Sequence, residues 1–134
     1  MLGDLISEGQ GKVTAYRVLS TEGQDPKVEV SFRSATKLLG VDMNEMGTYW
    51  SVARADGTMY GEGQGVMMGR DGDLVSWVGQ GAGRFNAGGG VSWRGAIYLR
   101  TASPKLARLN GIAAVFEYET DASDNTKATV WEWK

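Results

Sequence analysis

Residues 46–101 read MGTYWSVARADGTMYGEGQGVMMGRDGDLVSWVGQGAGRFNAGGGVSWRGAIYLRT, and this stretch decides the fold. Blocks of β-branched and aromatic residues are separated by Asp56-Gly57, Asp71-Gly72-Asp73 and Asn86-Ala87-Gly88-Gly89-Gly90. Gly, Asn and Asp tolerate the positive φ of tight hairpins, so the three clusters read as hairpin loops. They join four strands, roughly 46–55, 58–69, 74–85 and 91–101, into one antiparallel meander.

Loop length fixes register, and register fixes faces. A two-residue turn at Asp56-Gly57 sets Trp50 opposite Gly63. A three-residue loop at 71–73 sets Gly63 opposite Gly81, and the loop at 86–90 sets Gly81 opposite Gly95. Side chains alternate across a strand. One face then carries Trp50, Met59, Met67, Trp77, Phe85 and Trp93 around a glycine centre, and the other carries Glu62, Gln64, Gln80, Arg84, Arg94 and Tyr98. Half-buried antiparallel strands have this two-sided character. Trp50 is expected to lie over Gly63 and Gly81, inside the core. A glycine row across neighbouring strands lets a sheet coil as barrel closure requires.

Working outward, four further strands lie at roughly 5–19, 28–39, 112–120 and 126–133. A short helix is expected from 104 to 110, with Ser103 as N-cap, Pro104 at the first helical position and Asn110-Gly111 at the end. The chain thus reads as one all-β domain over residues 1–134: a single eight-stranded antiparallel β-barrel.

Composition narrows the chemistry. The 134 residues include 20 Gly, no Cys and no His. Without Cys there is no disulfide, thiolate nucleophile or Cys zinc site. Without His the commonest general base and metal ligand are missing. Acid–base work falls to Asp, Glu, Lys or Tyr, and no metal or cofactor is expected. The net charge is −2 with no basic run, which argues against nucleic acid. No apolar run approaches the roughly 20 residues of a membrane helix. The start, Met1-Leu2-Gly3-Asp4, lacks a signal-peptide pattern, so a cytoplasmic location is expected. Ser34-Ala35-Thr36-Lys37 matches S-x-x-K, but a strand sends Ser34 and Lys37 to opposite faces.

The segment DGTMYGEGQG (56–65) resembles the allene oxide cyclase-like and dirigent-like β-barrels, and so does VGQGAGRF (78–85). KLARLNG (105–111) and FEYE (116–119) resemble the closing segment of small uncharacterised bacterial members of that superfamily. The resemblance covers roughly residues 45–134 and implies a β-barrel of the allene oxide cyclase-like or calycin-like kind. Members often form dimers or trimers, so it implies a homo-oligomer. It maps no catalytic motif onto this chain, and function carried over from fold alone is analogy.

Three functional readings stand at this point. The first is a barrel binding a small, largely apolar ligand, walled by Trp50, Met59, Met67, Trp77, Phe85 and Trp93, with a cavity in the ~300–1,000 Å³ range of ligand sites. The second is a cyclase or isomerase, which needs a carboxylate or Tyr of shifted pKa inside the cavity; Glu62, Glu117 and Glu119 are its candidates. The third is a structural homo-oligomer with a filled barrel. Two local features bear on these. A polar site of Glu62, Gln64, Gln80, Arg84, Arg94 and Tyr98 would suit a carboxylate or carbonyl ligand if it lies at a barrel mouth. Glu62 and Arg94 are expected to meet over Ala82. Trp131 and Trp133 share one face, either closing the core or, if outward, anchoring an interface.

Overall fold

A computed structural model describes residues 2–134. Eight strands follow in order: β1 (Leu2–Ser20), β2 (Lys27–Leu38), β3 (Val41–Ala53), β4 (Thr58–Gly69), β5 (Leu74–Phe85), β6 (Val91–Thr101), β7 (Ala114–Thr120) and β8 (Asn125–Trp133). Each pairs antiparallel with the next, and β8 returns to β1, so the sheet closes into a barrel. Closure removes the unpaired edges that invite aggregation. β1 spans 19 residues and carries register shifts against both neighbours, which bend it around the barrel. Among the described residues no helix is long and apolar enough to cross a membrane.

Strands β4, β5 and β6 turn the expected faces inward. Gly81 pairs with Gly95, as the third loop requires. The middle loop sits one residue earlier than expected, at Arg70-Asp71-Gly72, where the Gly69 amide donates to the Asp73 carbonyl at 2.8 Å. That moves the pairing by two, so Gly63 meets Gly79 and the faces survive.

Strand β3 is the correction. Arg54 N donates to the Thr58 carbonyl at 2.9 Å, and Ala53 pairs with Met59. The loop is therefore Ala55-Asp56-Gly57, three residues rather than two, with Gly57 at φ +86°. Asp56 Oδ1 holds it by accepting from the Thr58 amide at 2.9 Å. A one-residue slip inverts every side chain on a strand. Trp50 pairs with Glu62 and faces outward, while Tyr49 pairs with Gly63 and faces inward. The two-residue turn is instead Leu39-Gly40, both at positive φ, joining Leu38 to Val41.

The glycine row is thus Gly61, Gly81 and Gly95, flanked by Ser51 and Phe116. Interior glycines make room for rings. A Cβ on Gly65 would sit 2.5 Å from the Trp77 indole, and one on Gly83 or Gly61 would sit 3.0 Å from Trp93. Core packing accounts for them.

One end of the barrel is a dry core of Ile6, Leu38, Met67, Val75, Leu99 and their neighbours. Pro104–Leu109 forms a 3-10 helix that plugs this end. Leu106 and Leu109, one 3-10 turn apart, are both buried in it. Ser103 makes no capping bond; its hydroxyl donates to Asp73 Oδ1 at 2.6 Å. Lys105 Nζ meets Asp73 Oδ2 at 2.9 Å, so two contacts tie the plug to the β4–β5 hairpin. At the C-terminus Trp131 and Trp133 face outward, and Trp133 is 60% exposed, so the core-closure reading does not hold.

Candidate functional site

Because β3 is inverted, its inward residues are Met43, Glu45, Gly47, Tyr49 and Ser51. This brings one carboxylate into the barrel. Glu45 is 8% exposed and lines a cavity of about 90 Å³ in the middle of the barrel. Thr36 Oγ1 donates to Glu45 Oε1 at 2.9 Å, and Trp77 Nε1 donates to Oε2 at 2.8 Å. Both donors arrive from neighbouring interior rows: Thr36 pairs with Met43 on β2–β3, and Trp77 pairs with Gly65 on β4–β5. Burial pushes the Glu45 carboxyl above its ordinary value, and the two hydrogen bonds pull it partly back. A carboxylate with raised pKa inside a cleft is a functional-site candidate.

The walls are aromatic. Phe32 stacks near Trp77 with ring centres 6.4 Å apart, and Tyr118 lies 5.6 Å from Phe32. The Tyr49 ring stands edge-on to Tyr118 and to Trp93, each at 5.8 Å. Tyr118 is 8% exposed; its hydroxyl is sealed from solvent and turned toward Tyr49, which accepts from it loosely. Burial, with Tyr49 close by, drives the Tyr118 hydroxyl far above the usual tyrosine range. Burial also pushes Tyr49 up to about 12. Both therefore stay protonated near neutrality.

Of the expected apolar wall, Met67, Trp77 and Trp93 line the cavity. Met59 and Phe85 lie toward the other barrel end, and Phe85 is exposed. Trp50 is outside, with Lys27 Nζ 4.1 Å from its ring centre and Tyr60 edge-on to it. The hollow is far smaller than the ~300–1,000 Å³ of ligand sites, because the aromatic side chains fill most of the interior.

The polar set does not form one site. Glu62, Gln64, Gln80 and Tyr98 line an outer groove of about 530 Å³ with Trp50 and Val78. The Tyr60 hydroxyl lies 2.9 Å from Glu62 and 3.0 Å from Gln80. Arg84 and Arg94 lie away from this groove. Arg94 does not meet Glu62; it pairs with Glu117 at 3.4 Å and Glu119 at 3.2 Å, because Ala82 faces Tyr60 rather than Glu62. The candidate carboxylates Glu62, Glu117 and Glu119 all belong to the outer face. Sequence reasoning missed Glu45, Thr36 and Tyr118. The available signal was the Leu39-Gly40 turn, which fixes β3 from its other end.

No protein-family model matches the sequence, and no curated protein matches it. Solved structures do resemble the fold. A conserved protein of unknown function from Rhodopseudomonas palustris superposes with a TM-score of 0.82 at 12% identity, covering 98% of this chain and 97% of that one. A β-barrel-like protein from Acinetobacter baumannii gives 0.83 at 13% identity, covering 98% and 94%. An enzyme from Penicillium herquei gives 0.70 at 14% identity, covering 96% and 92%. At these identities the likeness speaks for the barrel fold alone.

Proposed function

We propose that the barrel interior holds the polar head of a small, largely apolar molecule. The observation that carries this reading is Glu45: a buried carboxyl, fixed by two donors, facing a hollow walled by aromatic rings. Burying an ionisable group is costly, and a barrel of this size has apolar residues to fill that position. The hollow sets the size of the head group. A cavity of 150 Å³ accepts benzene, so about 90 Å³ seats roughly three to four heavy atoms. The lining rings favour a planar head group, and Glu45 disfavours an anion.

A second reading is a cofactor-independent cyclase or isomerase of the allene oxide cyclase-like kind. The raised pKa of Glu45 favours it, since a base poised toward neutrality suits proton transfer. The chain's resemblance to that superfamily, and the enzyme from Penicillium herquei with its similar barrel, point the same way.

Native mass spectrometry of protein purified from its own source tests the binding reading. A retained small molecule, lost in Glu45→Gln, is the expected result. Bare chain in every preparation, with no melting shift from neutral carbonyls or alcohols of about three to four heavy atoms, would overturn it.

A further inference from the structure

Resting on the interior-binding reading, we propose that the head group seated in the hollow is a planar cation, an amidinium or guanidinium, paired with Glu45.

Charge is the starting point. Glu45 is 8% exposed, and among the described residues no ion pair includes it. No Lys or Arg lines the hollow. The other carboxylate on its wall, Glu62, accepts from Tyr60 on the outer face. A buried carboxylate is costly unless it takes up a proton or meets a cation. The hydrogen bonds of Glu45 speak for the cation. Thr36 Oγ1 and Trp77 Nε1 both donate to it, at 2.9 and 2.8 Å, and donors favour the ionised form.

The wall points the same way. Phe32, Tyr49, Trp77, Trp93, Phe116 and Tyr118 all line the hollow. Aromatic rings attract cations, and they do so more strongly where the cation is stripped of water. One carboxylate in a ring-lined hollow therefore suits a positive charge and repels a negative one.

The same surroundings select among cations. An ammonium is a compact, strongly hydrated point charge. A guanidinium-type group is planar and delocalised, is more weakly hydrated and stacks on rings, so it loses less on entering a dry site. Its N–H groups form a fork that matches the two oxygens of a carboxylate. Glu45 offers that match. An ionised carboxylate has about four acceptor sites; Thr36 and Trp77 use one on each oxygen, so about one per oxygen stays open. Size agrees as well. A hollow of about 90 Å³ seats roughly three to four heavy atoms, which is the size of acetamidinium or guanidinium.

The test uses the full chain and three planar probes of matched size and shape: acetamidinium, acetamide and acetate. Methylammonium serves as the cation that is not planar, and ionic strength is held constant. Ligand-observed NMR and melting shifts read the binding. Acetamidinium is expected to bind roughly tenfold or more tighter than acetamide, and acetate not at all. Glu45→Gln should weaken acetamidinium to the level of acetamide. The series on wild type decides the sign of the charge even if that variant is unstable. Acetamide binding as tightly as acetamidinium, or methylammonium binding more tightly, overturns the proposal and leaves the interior-binding reading standing. Unchanged acetamidinium affinity in Glu45→Gln also overturns it, because the cation would then bind elsewhere. Binding by none of the four probes overturns the proposal, and together with bare chain in native mass spectrometry it overturns the interior-binding reading too.

Discussion

Glu45 owes its position to two turns remote from it: Leu39-Gly40 on one side and Ala55-Asp56-Gly57 on the other. Its own neighbourhood argues the wrong way. In Met46-Gly47-Thr48-Tyr49-Trp50, polarity alone favours an inward Trp50 and an outward Glu45. Departures from the apolar pattern are expected at functional positions, which is why a polarity rule hides them. The glycine pattern was legible, although the rings it seats were not those expected. Gly65 makes the sharpest residue-scale prediction. A Cβ there would lie 2.5 Å from Trp77 Nε1, the atom that donates to Glu45. Gly65→Ala should cost roughly 1–3 kcal/mol by overpacking and break that bond. Urea denaturation gives the first quantity, and the indole N–H resonance of Trp77 reports the second. An unchanged resonance would sink the coupling.

At the scale of elements, strand order and the hairpins of β4 to β6 followed from turn chemistry. The apolar face of those three strands was read correctly because an error of two residues leaves faces intact. β3 went wrong because Asp-Gly suits both a two-residue turn and the end of a three-residue one, and only the second keeps Gly57 alone at positive φ. The short helix was legible from Ser103-Pro104, but its role was not. Leu109 is fully buried and seals the core end of the barrel. Leu109→Ala should cost about 2–5 kcal/mol, read as a lower urea midpoint. An exposed plug residue such as Ala107 should tolerate substitution within about 0.5 kcal/mol. If both changes cost the same, the helix is not packed as a plug.

The whole molecule carries the consequence of burying one carboxyl. Unfolded, Glu45 titrates near the ordinary carboxylate value of 4.5; folded, burial raises it. Between those two values the folded protein holds more protons than the unfolded chain. Stability therefore falls as pH rises through that window, and the loss is complete above the folded value. Asp4 and Asp73 act in the opposite sense. Lys134 and Arg108 lower Asp4, and Ser103 and Lys105 lower Asp73. Their contribution is present above the ordinary carboxylate range and lost as pH falls through their folded values. Asp4 sits among exposed ion pairs and gives a shallow limb, while Asp73 is largely covered by the plug and carries more of it. Stability should peak under mildly acidic conditions and decline toward pH 8. Glu45→Gln removes the decline while keeping the packing: its carbonyl oxygen can accept from Trp77 Nε1, and its amide can donate to Thr36 Oγ1. Thermal unfolding from about pH 4 to pH 8 should show the variant level with wild type at the acid end and more stable at the other. A variant less stable than wild type at pH 8 would mean that the hydrogen bonds to the carboxylate outweigh its burial, and that Glu45 is kept for the fold rather than for a ligand.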